Sequence, residues 1–516
     1  MKTILIRTNF NKDIGLGHLF RMKNLAERFS KKDKIIFILD KKELIVEKIL
    51  KFQCIYLYKG NNKFSSEILD AKILKKKINK IKTDLIIVDD YRLKLKWQNF
   101  FFKKNKIVVF DDNNKFKQKC HILVDSKWDQ NYTDQRYLNL VPNKTIRLLG
   151  PQYAITEKKI RRKRKKNKFF NILFYVGGSG NLKIYKSFFN EFIKKTKKKT
   201  SYKLNIVVGP LTTGLNEILI LAKKSKNIKF ITQNLKINKI LPNIDLYLGV
   251  SSSIIYELNF YNIPSILFPI SDNQENSKLA LNDLGFYFLL KQKNLISEHG
   301  KVVHLVFSII KNIERIEKIS QNKIRIDGKG SDRIISNLMK LINKKKIAMK
   351  SNQKFIKKNF IEKNGFHKVE DNHLNLYLIS RNLESNRKNS VNQKLIQNID
   401  HYLWWLHNKI SAFYFVREKK IRVYLYHKVI KIKSRPYYYG GWFKGINKVL
   451  VSDIISVVFW QISNFKKYKW IAIIKKKNTF VFKLNLYLGF KKISFKSHHN
   501  TFFKRINFNS YYLLTK

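Results

Sequence analysis

The chain has 516 residues, a length that suits about three domains. Hydrophobic residues make up 44% of it, which excludes disorder as the main state because enough apolar surface exists to offset the chain entropy. Lysine and arginine total 106 against 36 acidic residues, and a net charge of +70 ordinarily indicates a nucleic-acid or anionic-membrane partner. The lysines are spread over nearly every segment, however, which indicates a bias of the whole sequence rather than a basic groove.

Cysteine usage and hydropathy limit the compartment. The only cysteines are Cys54 and Cys120, which excludes a disulfide framework and a cysteine-based metal site and favours a reducing compartment. The apolar run Met1–Arg7 is too short for a secretion signal. No stretch approaches the ~20 apolar residues of a membrane span. We therefore expect a cytoplasmic protein without a membrane span.

The first ~340 residues alternate short apolar runs with charged amphipathic stretches, a pattern typical of βα units on a parallel sheet. The runs form two series, which predicts two α/β halves in tandem at residues 1–145 and 146–340. The predicted strands are Thr3–Arg7, Lys34–Leu39, Leu85–Asp89, Ile107–Phe110 and Ile122–Val124, then Phe170–Val176, Lys203–Val208, Lys229–Ile231, Leu246–Val250 and Ser265–Phe268.

The pattern changes after residue 340. Residues 341–364 are rich in lysine and asparagine and predict a linker, and residues 365–516 predict a third unit. Its predicted elements are strands Leu374–Ile379, Ala412–Val416, Arg422–Tyr426 and Trp470–Ile474, a helix over Val449–Ser463, and a final apolar segment Leu484–Gly489.

A glycine-rich turn follows the first predicted strand. Gly15 and Gly17 let the backbone approach a ligand closely, and the free amides at the start of the next helix favour an anion such as a diphosphate. His18 opens onto the crevice at the carboxyl ends of the strands, where a neutral imidazole can act as a general base, and Arg21 shares its helix face. A capping or packing histidine is the alternative.

Paired acids end two later strands of the first half. Asp89 and Asp90 precede Tyr91, and Asp111 precedes Asp112. These side chains are candidate site residues because such strand ends face the crevice, while Asp90 and Asp112 could equally cap the segments that follow. No matching ligands occur at short spacing, so we expect no metal.

The second half repeats this architecture at three strand ends. Gly177 and Gly178 follow one strand, and Asn273 and Gln274 follow another. Between them, the small residues Ser252 and Ser253 precede a helix that carries Glu257, an arrangement that suits a diphosphate and the hydroxyls of a ribose. The alternative is a serine helix cap with a solvated glutamate. Together the two halves predict a cleft with a nucleotide on the second half and a reacting group on the first.

The ordered set of motifs resembles the UDP-sugar hydrolases of pseudaminic acid biosynthesis and their spore-coat polysaccharide relatives. The resemblance covers residues ~1–340. The segments that carry it are Gly15–Arg21, Val88–Tyr91, Leu148–Ala154, Gly177-Gly178, Ser252–Glu257, Asn273-Gln274 and Ile326–Arg333. The chain departs from the family at one motif. Where the family has Gly-Gly-(Ser/Thr)-Asp, this chain has Gly178-Ser179-Gly180-Asn181, which lacks the acid.

This resemblance implies a GT-B-like pair of Rossmann-type parallel-sheet domains. It implies hydrolysis of UDP-2,4-diacetamido-2,4,6-trideoxy-β-L-altropyranose, in which water attacks the anomeric carbon with inversion and His18 positions or deprotonates that water. Glu257 with Ser252 and Ser253 would hold UDP, and Asn273 and Gln274 would lie at the sugar and phosphate edge. A GT-B glycosyltransferase that uses a UDP-sugar is the alternative, since an acceptor alcohol could replace water.

The third unit resembles the GNAT acyltransferases, particularly those that acetylate amino sugars. The late strand ending at Asn478 and the Leu488-Gly489-Phe490 segment carry the likeness, which implies a C-terminal α/β domain with acetyl-CoA as co-substrate. The family's glycine-rich pyrophosphate loop is not evident here, and Lys444 and Gly445 occupy its approximate place, so pyrophosphate binding either rests on them or is lost. Asn478 and Tyr487 would lie beside the thioester, and a packed core role is the alternative for Tyr487. His401 is either a sugar-site residue or a structural partner of Trp404.

The two resemblances fit one reaction sequence. N-acetylation of the UDP-4-amino sugar directly precedes UDP removal, so we expect a bifunctional enzyme whose joined domains raise the local concentration of the shared intermediate. Its partners would be the UDP-sugar and acetyl-CoA, with no specific nucleic acid. The alternative from another class is a polyanion-binding protein with a degenerate enzyme core, which rests on the charge of +70 alone.

Overall fold

The computed structural model describes residues 1–10, 15–130, 132–157, 169–197, 201–223, 225–232, 237–320, 324–345, 363–390, 393–408, 411–432, 434–493 and 510–516. The chain divides into two compact units. The first consists of residues 1–306 and 313–357, and the second of residues 307–312 and 358–516.

The first half of unit one is a seven-stranded parallel sheet in the order β3-β2-β1-β4-β5-β6-β7. Helices cover both faces of this sheet, and its central strands are accordingly apolar over most of their length. The strands are β1 Thr3–Thr8, β2 Lys34–Leu39, β3 Gln53–Tyr56, β4 Leu85–Asp89, β5 Lys106–Phe110, β6 Ile122–Asp125 and β7 Ile146–Leu149. The helices are α1 Gly17–Ala26, α2 Leu44–Ile49, α3 Glu67–Lys77 and α4 Leu95–Phe102.

The second half is a six-stranded parallel sheet in the order β10-β9-β8-β11-β12-β13. The strands are β8 Phe170–Tyr175, β9 Tyr202–Val207, β10 Ile228–Ile231, β11 Leu246–Val250, β12 Ser265–Phe268 and β13 Phe288–Leu289. The helices are α5 Lys186–Thr196, α6 Leu215–Lys223, α7 Ile237–Ile240, α8 Ile255–Tyr261, α9 Lys278–Asp283, α10 Gln292–Ser297, α11 His299–Lys311, α12 Ile313–Ile319 and α13 Gly330–Ile342.

Two parallel sheets in tandem confirm the predicted GT-B-like pair of Rossmann-type domains. Strands β3, β7 and β13 were not among the predicted ones. Strand β7 begins one residue beyond the predicted domain boundary at residue 145, yet it pairs with β6 and so completes the first sheet.

Helix α13 joins the two halves. Ile334 and Leu338 on this helix are buried in the apolar core of the first half, although the helix follows the second sheet in the chain. The Arg333 guanidinium donates to the Gln152 carbonyl at 3.0 Å. A methyl group on Gly330 would overlap the Ala154 carbonyl, so only glycine permits this approach. Two segments of the sequence resemblance therefore pack on each other.

The second unit is a seven-stranded mixed sheet in the order β14-β15-β16-β17-β18-β20-β19, in which only β17 and β18 are parallel neighbours among the described pairs. This sheet is consistent with the predicted GNAT-like domain. The strands are β14 Gly365–Lys368, β15 Ala412–Arg417, β16 Lys420–Ile432, β17 Arg435–Lys444, β18 Lys469–Lys475, β19 Lys491–Lys492 and β20 Tyr511–Thr515. The helices are α14 Leu374–Arg381, α15 Glu384–Lys388, α16 Asn398–His407, α17 Val451–Asn464 and α18 Thr479–Tyr487.

The predicted strand Leu374–Ile379 is wrong, because this segment lies in helix α14. Its buried apolar residues Leu374, Tyr377 and Leu378 follow the spacing of a helix face. Across the described ranges, the helices are too short or too polar for any of them to cross a bilayer.

Candidate functional site

The candidate site begins at the turn between β1 and α1. Gly15 adopts a φ of 73°, a left-handed conformation that favours glycine, and α1 starts two residues later. This turn places His18 in the first turn of the helix, at the carboxyl end of the sheet, with 7% of its surface exposed.

The orientation of His18 is fixed by Asp89 at the end of β4. The ring Nδ1 lies 2.7 Å from Asp89 Oδ1, and the carboxylate is fully buried. A terminal nitrogen of Arg21, which can only donate, also lies 3.2 Å from Nδ1, but the same nitrogen donates to Asp89 at 2.5 Å. An ionised carboxylate only accepts, so the shorter contact of Nδ1 with Asp89 assigns the proton of the neutral ring to Nδ1. Nε2 then carries a lone pair, and no described residue hydrogen-bonds to it. This is the tautomer that a general base requires.

The same carboxylate is held by Arg21 from the next turn of α1. Arg21 Nε donates to Asp89 Oδ2 at 2.9 Å, and a terminal nitrogen donates to Oδ1 at 2.5 Å. The other terminal nitrogen lies 3.2 Å from Asp112 Oδ2, and the Tyr91 hydroxyl donates to the second oxygen of Asp112. The Tyr91 ring meets the His18 ring edge-on at 4.7 Å. These five side chains contact one another in a closed loop. This cluster of five residues is called the histidine ring below, as distinct from the imidazole of His18 itself.

The electrostatics of the histidine ring favour two ionised carboxylates. Burial alone would raise the pKa of Asp89, but the charges of Arg21 and His18 and their hydrogen bonds outweigh it and lower the pKa to about 2. Burial is likewise outweighed at Asp112, mainly by Arg21, so its pKa is also lowered. Burial and Asp112 raise the pKa of Tyr91, which keeps this phenol neutral. At neutral pH Asp89 is therefore a permanent acceptor for His18.

The two acids left open by the sequence have different roles. Asp112 belongs to the histidine ring and caps no segment through its described contacts. Asp90 accepts from the Arg92 backbone at 3.0 Å and from its guanidinium at 2.6 Å, so it holds the following turn as the alternative interpretation expected.

A cavity of about 230 Å³, including space open to solvent, adjoins the histidine ring. Burial raises the pKa of Asp125 in its wall to about 6, although Arg136 opposes the shift. Arg21 and Asp112 reach the cavity from the histidine ring. The lining residues are Arg21, Phe110, Asp111, Asp112, Val124, Asp125, Ser126, Tyr153 and Ile155. Within the described ranges, no three His, Cys, Asp or Glu side chains converge in a way that could hold a metal ion.

The glycine turns of the two halves face each other. Gly177 has a φ of 85°, and a methyl group on Gly178 would lie 3.4 Å from the Leu16 side chain. A methyl group on Gly15 would lie 3.3 Å from Ser179 Oγ. Gly17, in contrast, has open space around its missing side chain. The two halves are therefore in contact at these turns, next to His18 in the chain.

Helix α8 brings the second half to the cavity edge. The Tyr256 hydroxyl donates to the Ser126 carbonyl at 2.9 Å, and Ser126 lines the cavity. Glu257, the next residue, is half-buried and accepts from the Glu157 backbone at 3.4 Å. The contact between Tyr256 and Ser126 was not predicted, because Ser126 lies outside the motifs and Tyr256 was named only as a member of the segment Ser252–Glu257.

The other predicted residues of the second half lie near this edge. Ser252 is half-buried and Ser253 exposed, both just before α8. Ser251 donates through its hydroxyl to the Gln274 carbonyl at 2.9 Å, which ties this turn to the one after β12. The Gln274 side-chain oxygen accepts from the Ile270 backbone. The side chain of Asn273 lies outside the described part of the chain.

In the second unit, two predicted residues have structural contacts instead of open sites. His401 is 4% exposed and its Nε2 lies 3.0 Å from the Leu374 carbonyl, which favours the structural alternative, and its ring lies 5.8 Å from that of Trp404. Asn478 accepts from the Val481 backbone at 3.3 Å as the N-cap of α18. Tyr487 is 81% exposed at the end of that helix.

The predicted pyrophosphate segment is engaged within the fold. The Gly445 amide donates to the Arg422 carbonyl at 2.7 Å, and the Lys444 amide donates to Asn386 Oδ1 at 3.0 Å. Both backbone amides are therefore engaged within the fold, and pyrophosphate binding at Lys444 and Gly445 stays a prediction. The half-buried Lys444 side chain remains the cationic group of the pair.

Comparisons with known proteins give structural neighbours only. No family model matches the sequence, and a search of curated proteins finds no match. Acinetobacter baumannii MurG is 12% identical over 66% of this chain and 100% of its own, with a TM-score of 0.46. S. aureus MnaA, solved with UDP, is 13% identical over 68% and 100%, with a TM-score of 0.46. A ribosomal-protein-alanine N-acetyltransferase of Brucella melitensis is 15% identical over 29% and 98%, with a TM-score of 0.24.

Proposed function

We propose that the first unit hydrolyses a UDP-2,4-diacetamido-2,4,6-trideoxyhexose to UDP and the free sugar. The observation that carries this proposal is the state of the His18 imidazole. Its Nδ1 is held by a buried, ionised Asp89, while its Nε2 has no described partner. Such a ring is prepared to take a proton from a neutral molecule that approaches Nε2. The motif order of residues ~1–340 supplies the substrate class.

The reaction balances without a cofactor. A water oxygen forms a bond to the anomeric carbon while its proton passes to His18 Nε2. The bond from that carbon to the diphosphate oxygen breaks on the opposite face, and its electron pair leaves with UDP, so the anomeric centre is inverted. The resulting imidazolium is stabilised by Asp89, which stays ionised throughout.

The remaining site residues divide into three groups. Following the resemblance, Ser252, Ser253 and Glu257 bind UDP, and Asn273 and Gln274 contact the sugar and phosphate. The glycines at 15, 17, 177 and 178 allow close backbone approach. Arg21, Asp89 and Tyr91 are positioning residues in this proposal. Their described hydrogen bonds and ring contacts are made with one another, with Asp112 and with His18.

The test is UDP release from the purified full chain given the UDP-sugar and no acceptor. Hydrolysis predicts equal amounts of UDP and free sugar, with the inverted anomer forming first by proton NMR. Release that requires an added alcohol would instead establish the alternative glycosyltransferase. His18→Ala should abolish release while calorimetry still detects UDP binding, and His299→Ala on α11 serves as the matched histidine control.

A second activity is favoured by the geometry of β17 and β18. These parallel neighbours pair only at Tyr437–Tyr439 with Lys469–Ile471, although β17 continues to Lys444. Diverging parallel strands leave backbone groups of both strands without ladder partners, and in the GNAT fold such a splay receives the pantetheine arm. We propose that this unit N-acetylates the UDP-4-amino sugar from acetyl-CoA before the first unit removes UDP.

Mass analysis of the products separates the two activities. Given the UDP-4-amino sugar, the chain should form free diacetamido sugar only when acetyl-CoA is present. His18→Ala should then accumulate the acetylated UDP-sugar. No acetylated product with acetyl-CoA present would remove the acyltransferase proposal and leave the hydrolase proposal to its own assay.

A further inference from the structure

Helix α17 has an outer face unlike the rest of this chain. Charged residues make up 28% of the sequence, so a helix of 14 residues would carry about four. Asp453 is the only one in α17, and it is fully buried. It forms an ion pair with Arg417, one of whose nitrogens lies 2.7 Å away, but its two oxygens accept no described hydrogen bond. The exposed face of the helix therefore carries no charge.

That face is apolar and open to solvent. Val451, Ile455 and Phe459 are spaced four residues apart and so lie along one side of the helix. They are 53%, 36% and 63% exposed, and Leu450 just before the helix is 57% exposed. We call these four residues the α17 stripe. The opposite side of helix α17, which includes Ile454, Val457 and Val458, packs into the core of the second unit.

The part of the sequence that contains the α17 stripe is strongly basic. Residues 419–516 contain 22 lysines and arginines and a single acid, the buried Asp453. Lys448 precedes the helix, and Lys466, Lys467 and Lys469 follow it, all of them exposed. The ratio in the whole chain is 106 to 36, so the excess here goes beyond the general bias of the sequence.

We propose that the α17 stripe docks on an anionic lipid surface. The helix lies parallel to the bilayer, its apolar side chains enter the boundary between headgroups and acyl chains, and the flanking lysines contact lipid phosphates. Charge complementarity selects this occupant. A second copy of the chain would bring the same lysines together. Three of the four residues of the stripe are aliphatic, and leucine, valine and isoleucine offer a nucleic acid neither a phosphate contact nor a surface on which bases stack.

The test compares vesicles of phosphatidylcholine with and without phosphatidylglycerol. The full chain is floated with vesicles at low salt and at about 0.5 M NaCl, where a Debye length of about 4 Å screens simple adsorption of a +70 protein. The double variant Ile455→Ser with Phe459→Ser removes the apolar contact. Ile220→Ser is the matched control, since Ile220 is 58% exposed on α6 in the other unit. Thermal melts show that each variant folds.

The wild type should bind the anionic vesicles, and the double variant should lose about tenfold or more of the partitioning at high salt. Ile220→Ser should match the wild type. An NBD probe at Phe459→Cys, in a Cys54→Ser background, should be quenched by brominated acyl chains, and a probe at Ile220→Cys should not. Equal binding by all variants, absent quenching, or a dimer in solution that the double variant dissociates would each overturn the proposal. So would an RNA affinity that the double variant abolishes.

Discussion

Replacing Asp89 by asparagine tests the centre of the proposed mechanism. The carboxylate accepts from His18 Nδ1 at 2.7 Å and from Arg21 at 2.9 and 2.5 Å. An amide offers one acceptor oxygen and an NH₂ group in place of the second oxygen. That NH₂ group would either oppose a donor of Arg21 or donate to His18 Nδ1, which must then carry a lone pair. We expect the imidazole to move its proton to Nε2 and donate there, which removes the general base. The rate of UDP release should fall about 10²–10⁴-fold.

The structure also gives the effect on stability. The pKa of Asp89 falls from an ordinary 3.8 to about 2, which corresponds to about 2 kcal/mol of unfolding free energy at neutral pH. Because the folded pKa is lowered, this contribution is complete above pH 4 and disappears as the pH falls towards 2. Urea unfolding of wild type and Asp89→Asn should therefore converge across that range.

The control is the neighbouring residue on the same strand end. Asp90→Asn also removes a buried carboxylate, but that group binds Arg92 and does not contact His18. It should lower stability without a comparable loss of UDP release. Nitrogen-15 NMR of the His18 ring reads the tautomer directly. If wild type carries its proton on Nε2, or if Asp89→Asn keeps its rate within a few-fold, the assigned role of Asp89 is wrong.

Three further substitutions test other parts of the structure. Tyr91→Phe keeps the ring edge against His18 and loses only the hydroxyl bond to Asp112, so kcat should fall about tenfold with KM unchanged in steady-state assays. Gly249→Ala would overlap the Tyr175 carbonyl and should lower the unfolding free energy of the first unit by about 1–3 kcal/mol in urea titrations, whereas Gly17→Ala meets open space. Asn478→Ala removes a helix cap and should lower the unfolding free energy by about 1 kcal/mol in thermal melts. If acetylation falls by more than the unfolded fraction explains, Asn478 lies beside the thioester as predicted.

The parallel sheets could be predicted because their central strands are fully buried and therefore continuously apolar. Strand β4, Leu85–Asp89, is predicted with the bounds it has. Edge strand β3 could not, since its residues Gln53–Tyr56 are partly exposed and break the apolar run. Leu374–Ile379 failed for another reason, because a short apolar segment does not distinguish a buried strand from a helix.

The sequence predicts which residues lie at this strand edge better than it predicts how they contact one another. The turn at Gly15 and the strand end at Asp89 locate the crevice, because carboxyl ends of parallel strands meet at one edge. Whether a carboxylate there faces a ligand or a neighbouring side chain depends on packing, which no local pattern encodes. Asp112 lies 91 residues from Arg21 in the chain, and only the folded sheet brings them to 3.2 Å.

The return of helix α13 to the first sheet has a consequence for synthesis. Ile334 and Leu338 close an apolar core that otherwise consists of residues before 149 and their partly buried neighbours. A ribosome must therefore deliver more than 340 residues before the first half can bury its whole interior. Until then the nascent chain exposes apolar surface where α13 will pack, and chaperones bind surface of this kind.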